Sequence, residues 1–351
     1  MRLFLCSAGS EPALAAELAR AGAEARDVAP GVVGIDRDDL VLDPVFARQA
    51  LPEVRVVEAG SVRALAEGIF AAFEGAIDGW TGPFAVHALT HAEPPPGLAS
   101  RTELAAREAL ALLGARRRRA SRRQGTLDEA AAELDERWLL VQILALRRER
   151  FAVSAAPPRP LPAGGLDLAR WPGGDAPVAI DRTPPSRAYQ KLEEAFAWMG
   201  AEPRAGETCV DLGAAPGGWT ATALKRRARV VAVDRAPLAR PFSQNPHVAS
   251  VIGNAFTYLP AAPVDWLLCD VVCEPARSLA ICDAWLSRGL CRNLVVTVKF
   301  KGRAGYGVLD ELPVLFERVR PAFARTKQLA HNKNEVTVMV RKAAAETAAA
   351  K

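Results

Sequence analysis

The second half of this 351-residue chain predicts an α/β domain with a mostly parallel sheet, and the first half a smaller α+β region. Three observations carry that reading. Apolar, β-branched segments alternate with helix-compatible ones from about residue 176 onward. One of them, Thr208-Cys209-Val210-Asp211-Leu212, runs into the glycine-rich turn Gly213-Ala214-Ala215-Pro216-Gly217-Gly218 and then a helical stretch from Thr220. In an open α/β sheet ligands bind where such strands end, and glycine lacks the Cβ that would hold a ligand off the backbone. Finally, residues 155–175 are rich in proline and glycine, the composition of a connection between halves.

Taken in order, Leu3–Cys6 is expected as a short strand and Glu11–Ala21 as a helix, with Ser10 at its N-cap and Leu14, Leu18 and Ala21 on one face. Gly31–Ile35 and Val54–Val57 read as further strands and Val62–Phe73 as a helix, so residues 1–75 form one α+β unit. Residues 76–156 form a second: strand Pro83–Leu89, helix Arg101–Leu113 with Ala105, Ala109, Leu112 and Leu113 inward, then strands Trp138–Leu146 and Phe151–Ser154. A linker is expected over 157–175, the α/β domain over 176–342, and an alanine-rich, frayed helix end over 343–351. The strands of the α/β domain are Cys209–Leu212, Val230–Val233, Val248–Ile252, Trp266–Cys269, Asn293–Lys299 and Glu335–Val340. Its helices are Ala188–Met199, Thr220–Arg226, Arg277–Arg288 and Val308–Val319.

Half of the residues are apolar, enough for sizeable cores, and the net charge of +5 with a pI near 9.0 tolerates an anionic partner without requiring one. Six cysteines (6, 209, 269, 273, 282 and 291) form no Cys-x-x-Cys pair, and the four histidines (87, 91, 247 and 331) do not cluster with them, so free thiols in a reducing compartment and no metal site are expected. The apolar start Met1–Cys6 is too short for a secretion signal and is followed by Glu11 and Glu17; a soluble cytoplasmic protein, acting as a monomer, is the expectation. The run Arg116-Arg117-Arg118-Arg119-Ala120-Ser121-Arg122-Arg123 holds six arginines in eight positions. Such a run serves as a solvated face or, with an RNA partner, as a phosphate-contacting edge.

The turn after Leu212 is not a phosphate loop, because no Gly-Lys-Ser/Thr follows, and Gly213, Gly217 and Gly218 have the wrong spacing for a dinucleotide fingerprint. Four charged residues stand at element ends where folding alone would not select them. Lys191 opens a helix, Asp270 follows the strand Trp266–Cys269, Lys299 ends an apolar strand, and Glu335 opens another. Asp234 ends the strand Val230–Val233, at the position where an acidic side chain accepts hydrogen bonds from ribose hydroxyls.

Asp211-Leu-Gly-Ala-Ala-Pro-Gly-Gly-Trp219 and the ordered Lys191, Asp270, Lys299 and Glu335 resemble the donor loop and tetrad of FtsJ-like RNA ribose 2′-O-methyltransferases. Pro185-Ser-Arg-Ala-Tyr-Gln-Lys-Leu-Glu-Glu-Ala-Phe196, Cys269-Asp-Val-Val-Cys-Glu-Pro275, Asn334-Glu-Val-Thr-Val338 and the start Leu5-Cys-Ser-Ala-Gly-Ser-Glu-Pro12 are similar to the RlmM family, which methylates a cytidine ribose in 23S rRNA. The resemblance implies a Rossmann-like, seven-stranded S-adenosylmethionine domain preceded by a ferredoxin-like and THUMP-like RNA-binding region. It implies donor contacts from Gly213, Ala215, Pro216, Gly217, Gly218, Trp219, Asp234 and Asp270, with Asn254 standing where the family has an adenine-facing aspartate. It also implies Lys299 as the base that takes the 2′-hydroxyl proton, tuned by Lys191 and Glu335 and held by Asp270. Lysine has a reference pKa of about 10.4, and a neighbouring lysine and partial desolvation are the ordinary means of lowering it. Arg116, Arg117, Arg118, Arg119, Arg122 and Arg123 would meet RNA. Alternatives are methylation of another RNA, or a silent methyltransferase fold that only binds RNA.

Overall fold

The computed structural model describes residues 1–302 and 305–342; the expected alanine-rich helix end at 343–351 lies outside them. The chain divides into two compact units, Met1–Pro162 with Leu166–Ala176, and Ala163–Gly165 with the chain from Pro177 onward.

The first unit holds two sheets. β1 (Arg2–Leu5), α1 (Glu11–Arg20), β2 (Ala25–Ala29), β3 (Val32–Ile35) and β4 (Gln49–Leu51) give an antiparallel sheet in the order β2-β3-β1-β4. The Ser10 side chain makes no capping bond to α1; the helix begins on backbone bonds, with proline in its first turn. β5 (Arg55–Glu58), α2 (Val62–Asp78), β6 (Phe84–Thr90), α3 (Leu98–Arg116), α4 (Arg118–Ser121), α5 (Leu127–Glu133), β7 (Leu139–Arg147) and β8 (Arg150–Ala156) build the second sheet, ordered β5-β8-β7-β6, with β6 and β7 parallel. Ser61 accepts the Ala64 N–H and caps α2. The run Leu139-Leu140-Val141-Gln142-Ile143-Leu144 is almost wholly apolar because both faces of β7 are covered. Leu139, Val141 and Ile143 pack with α2 and α3, while Leu144 and Leu146 pack with Leu3, Leu5 and Leu51 of the other sheet.

Two expected boundaries are corrected by this packing. A division after residue 75 falls inside α2, whose Leu65, Ile69 and Phe73 belong to the core of the second sheet. The expected linker over 157–175 is in large part folded into the first unit. Asp167 accepts the Arg159 N–H, Leu168 is buried, and the Gln49 amide bonds both backbone groups of Ala169 at 2.8 and 3.1 Å. A proline- and glycine-rich composition reports local stiffness and turns, not whether a distant glutamine has captured the backbone.

The second unit comprises α6 (Tyr189–Met199), β9 (Thr208–Leu212), α7 (Gly218–Lys225), β10 (Arg229–Asp234), β11 (Val248–Ile252), β12 (Val264–Cys269), α8 (Pro275–Ser287), β13 (Cys291–Lys299), α9 (Glu311–Val319), β14 (Phe323–Lys327) and β15 (Glu335–Arg341). Its sheet has seven strands in the order β11-β10-β9-β12-β13-β15-β14, parallel except that β15 runs against both neighbours. Sequence patterning picks out six of them. β14 escapes it because Arg325, Thr326 and Lys327 show no apolar alternation, yet all are buried: Arg325 lies 4.7 Å over the Trp198 ring. Strand order reverses on either side of β9 and β12, which opens a crevice beyond their carboxyl ends. Among the described residues no helix is long and apolar enough to cross a membrane, and all six cysteines are free, five of them buried.

Candidate active site

The turn after β9 is shaped by what its glycines must approach. Gly213 has φ +77°, and a Cβ there would lie 2.6 Å from a Val271 methyl; a Cβ on Gly218 would lie 2.5 Å from Ser186 Oγ. At Gly213 the left-handed backbone and the nearby Val271 leave room for glycine alone. The Gly213 N–H donates to the Val233 carbonyl at 2.9 Å, and the Ala215 N–H to Asp234 Oδ2 at 3.0 Å. Asp234 therefore holds the turn as well as ending β10, and its Oδ1 accepts the Ala236 N–H. Pro216 is exposed and Ala215 half-buried at the lip, whereas Trp219 is buried and donates its indole N–H to the Ala188 carbonyl at 2.9 Å. Trp219 thus ties α7 to the residue before α6. Asn254 Oδ1 accepts the Phe256 N–H at 3.1 Å, a local turn bond that uses one of the two lone pairs of that oxygen.

Lys191, Asp270, Lys299 and Glu335, drawn from four separate elements, meet at the carboxyl edge. The antiparallel register sets Lys299 directly opposite Glu335, so their side chains share a face. Lys299 Nζ donates to Asp270 Oδ1 at 2.6 Å and to the Asp270 carbonyl at 2.7 Å, and lies 3.9 Å from Glu335 Oε2. Lys191 Nζ lies 2.5 Å from Glu335 Oε1 and 3.6 Å from Asp270 Oδ1. Thr297, two residues before Lys299 on the same face, donates to Asp270 Oδ1 at 2.6 Å. The side chains are only 7–18% exposed, so two cations and two anions are each matched within a nearly dry cluster.

Asp211 belongs to the turn motif, but nothing in the sequence gives it a role. It is fully enclosed, and burial pushes its carboxyl up to about 7, opposed by the Thr220 hydroxyl donating at 2.7 Å. Thr297, Thr220, Glu194 and Asn334 also escape sequence reasoning. None carries a charge at a strand end that would draw notice, and Glu194 reads as one more helix carboxylate.

The arginine run divides. Arg116 pairs with Glu67 at 2.9 Å and lies over Phe70, and Arg117 pairs with Asp78 and Glu74. Arg123 donates to the carbonyls of Ile77, Trp80 and Gly82. Those three hold α2 in place. Arg118, Arg119 and Arg122 are exposed and make no ion pair among the described residues. A cavity of about 1010 Å³ lies at the opposite, amino edge of the sheet, lined by Glu202, Arg204, Glu207, Arg292 and Arg341 among others. It contains none of the expected site residues, and Arg292 there is paired with Asp265.

Comparison with known proteins finds likenesses over this part of the chain. Residues 184–339 match the model of the FtsJ-like methyltransferase family. The chain is similar, more particularly, to proteins named Ribosomal RNA large subunit methyltransferase M. That of Pseudomonas syringae pv. syringae is 38% identical over 190 residues, covering 50% of this chain and 52% of the relative. That of Pseudomonas putida is 37% identical over 195 residues, covering 51% and 54%. That of Ectopseudomonas mendocina is 38% identical over 190 residues, covering 50% and 53%. The matches span about half the length of these relatives.

Proposed function

We propose that this protein is an S-adenosylmethionine-dependent RNA ribose 2′-O-methyltransferase whose substrate is a cytidine of 23S rRNA. The observation that carries the reading is the convergence of Lys191, Asp270, Lys299 and Glu335 beside the glycine turn of an FtsJ-like domain. The residues present suit the cofactor: the Asp234 carboxylate holds the Ala215 N–H at the lip, and Asp270 follows β12, the strand paired beside β9, so acceptors stand where a cationic sulfonium and ribose hydroxyls would need them. When bound, S-adenosylmethionine supplies an electrophilic methyl group. Gly213 and Ala215–Gly218 would hold it, with the Asn254 carbonyl oxygen toward the amino group of its base.

The chain's own residues then have one task, to direct a ribose oxygen and accept its proton. Lys299 is the base: its two hydrogen bonds to Asp270 fix the position of Nζ. Glu335 and Asp270 bridge Lys191 and Lys299, holding Nζ in place to take the proton of the attacking ribose oxygen. In the first unit, read as the RNA-holding part with a ferredoxin-like and THUMP-like character, Arg118, Arg119 and Arg122 are the phosphate contacts. Methyl transfer to unmodified 23S transcript, followed by mapping of the modified nucleotide, tests the reading; transfer only to a different RNA would replace the substrate and keep the reaction.

A further inference from the structure

A buried carboxylate persists only where donors meet its oxygens. Glu194 is such a group: it is fully buried on α6, three residues after Lys191 and so on the same face of the helix. Its donors come from the loop at 328–334 that joins β14 to β15. The Ala330 N–H reaches Oε1 at 2.8 Å, and the His331 N–H and Nδ1 reach Oε2 at 2.9 and 2.8 Å. Burial pushes the Glu194 carboxyl above its ordinary range, and these bonds from His331 and Ala330 pull against that shift.

The loop is braced again on its other side. Asn332 Oδ1 accepts the Leu329 N–H and the Thr337 hydroxyl at 2.8 and 3.1 Å. Asn334 donates to the carbonyls of Phe300 and Gly302 at 3.0 and 2.6 Å, just beyond Lys299. Glu335 is the next residue. One helix therefore carries both Lys191 and the anchor of the loop that delivers the partner of Lys191.

We propose that Glu194, with His331, is a positioning residue of the methyl-transfer site, clamping the 328–334 loop to α6 so that Glu335 meets Lys191 beside Lys299. The proposal rests on the function given above. Only a carboxylate presents two acceptors here. Glutamine has nearly the same size but would turn an NH₂ group toward a backbone N–H, forcing the loop away. A displacement near 1 Å at the reacting groups costs on the order of 100-fold in rate.

The test compares wild type with Glu194→Gln, His331→Ala and His331→Asn in the full chain. In Glu194→Gln and His331→Ala, kcat should fall by about 10- to 100-fold. Donor affinity and RNA KM should stay within about twofold, because the glycine turn and the arginines lie on other elements, and the pH–rate profile should shift. His331→Asn, which keeps a side-chain N–H donor, should recover most of kcat. An unchanged kcat and pH profile per folded molecule in Glu194→Gln would overturn the proposal. A wild type that transfers no methyl group would instead strike at the functional reading. Lysine side-chain ¹⁵N NMR then tests the clamp without turnover: the Lys191 signal should move in Glu194→Gln, and an unmoved signal overturns the clamp.

Discussion

The tetrad of the second unit and the arginine run of the first are both dense in charge, and the structure uses them in opposite ways. Lys191 at the start of α6 and Asp270, Lys299 and Glu335 at the ends of buried strands answer one another within 2.5–3.9 Å. Arg116, Arg117 and Arg123 instead pin α2, while Arg118, Arg119 and Arg122 remain in solvent. A charge at the end of an apolar strand has little water and must be matched by a side chain or neutralised. A charge at a helix end has both water and the neighbouring helix available, so the residue type alone does not say which it takes. His87 completes the contrast. It is buried opposite Gln142 with neither ring nitrogen bonded among the described residues, and burial lowers its pKa to about 4. Unmatched, it stays neutral.

The largest expected effect breaks the matched cluster at the base. Lys299→Ala should lower kcat by about 10²- to 10⁴-fold, with donor binding measured by calorimetry nearly unchanged. A variant with normal turnover would remove Lys299 from the chemistry. The unmatched histidine gives the next effect. An unfolded histidine binds a proton near pH 6.5, whereas His87 in the folded chain resists until about 4. Its contribution to stability is therefore present above about pH 6.5 and lost as pH falls toward 4, on the order of 3 kcal/mol in all. Denaturant unfolding of wild type and His87→Leu across that window should show the wild type alone losing this increment as the pH falls; parallel curves would contradict the assignment.

The arginines sharpen the comparison at smaller scale. Replacing Arg118, Arg119 and Arg122 with alanine should weaken RNA binding and flatten its salt dependence by about 0.7 in log–log slope for each phosphate no longer neutralised. Replacing Arg116 and Arg117 should leave that slope intact and lower stability only slightly, because exposed ion pairs are screened by water. The reverse pattern would move the phosphate-binding role from the solvated arginines to the paired ones.

Much of the second unit is legible in the sequence because its strands carry their own signal. Apolar β-branched runs that end in a charge or a glycine turn, where a parallel sheet also ends, are an informative coincidence of local features. The meeting of Lys191 with Glu335 is legible only through family resemblance, since 144 positions separate them in the chain. β14 is invisible because its polar residues are buried by tertiary packing and stacking on Trp198. The boundary expected in the first half is misplaced for a similar reason: α2 looks the same in sequence whichever sheet its Leu65, Ile69 and Phe73 pack against. Glu194 illustrates the limit most sharply. Its neighbours on the helix do not distinguish it from Glu193, which lies on the surface side and pairs with Arg226.

Whether the four charges at the carboxyl edge form a ribose methylation site with Lys299 as its base can be asked in one measurement. Wild type and Lys299→Ala are each given labelled S-adenosylmethionine and unmodified 23S transcript, and the modified nucleotide is mapped. The expected result is one 2′-O-methylcytidine with the wild type and none with the variant, while both bind the donor. Methyl groups on a base instead of a ribose, or equal transfer by both proteins, would contradict that assignment.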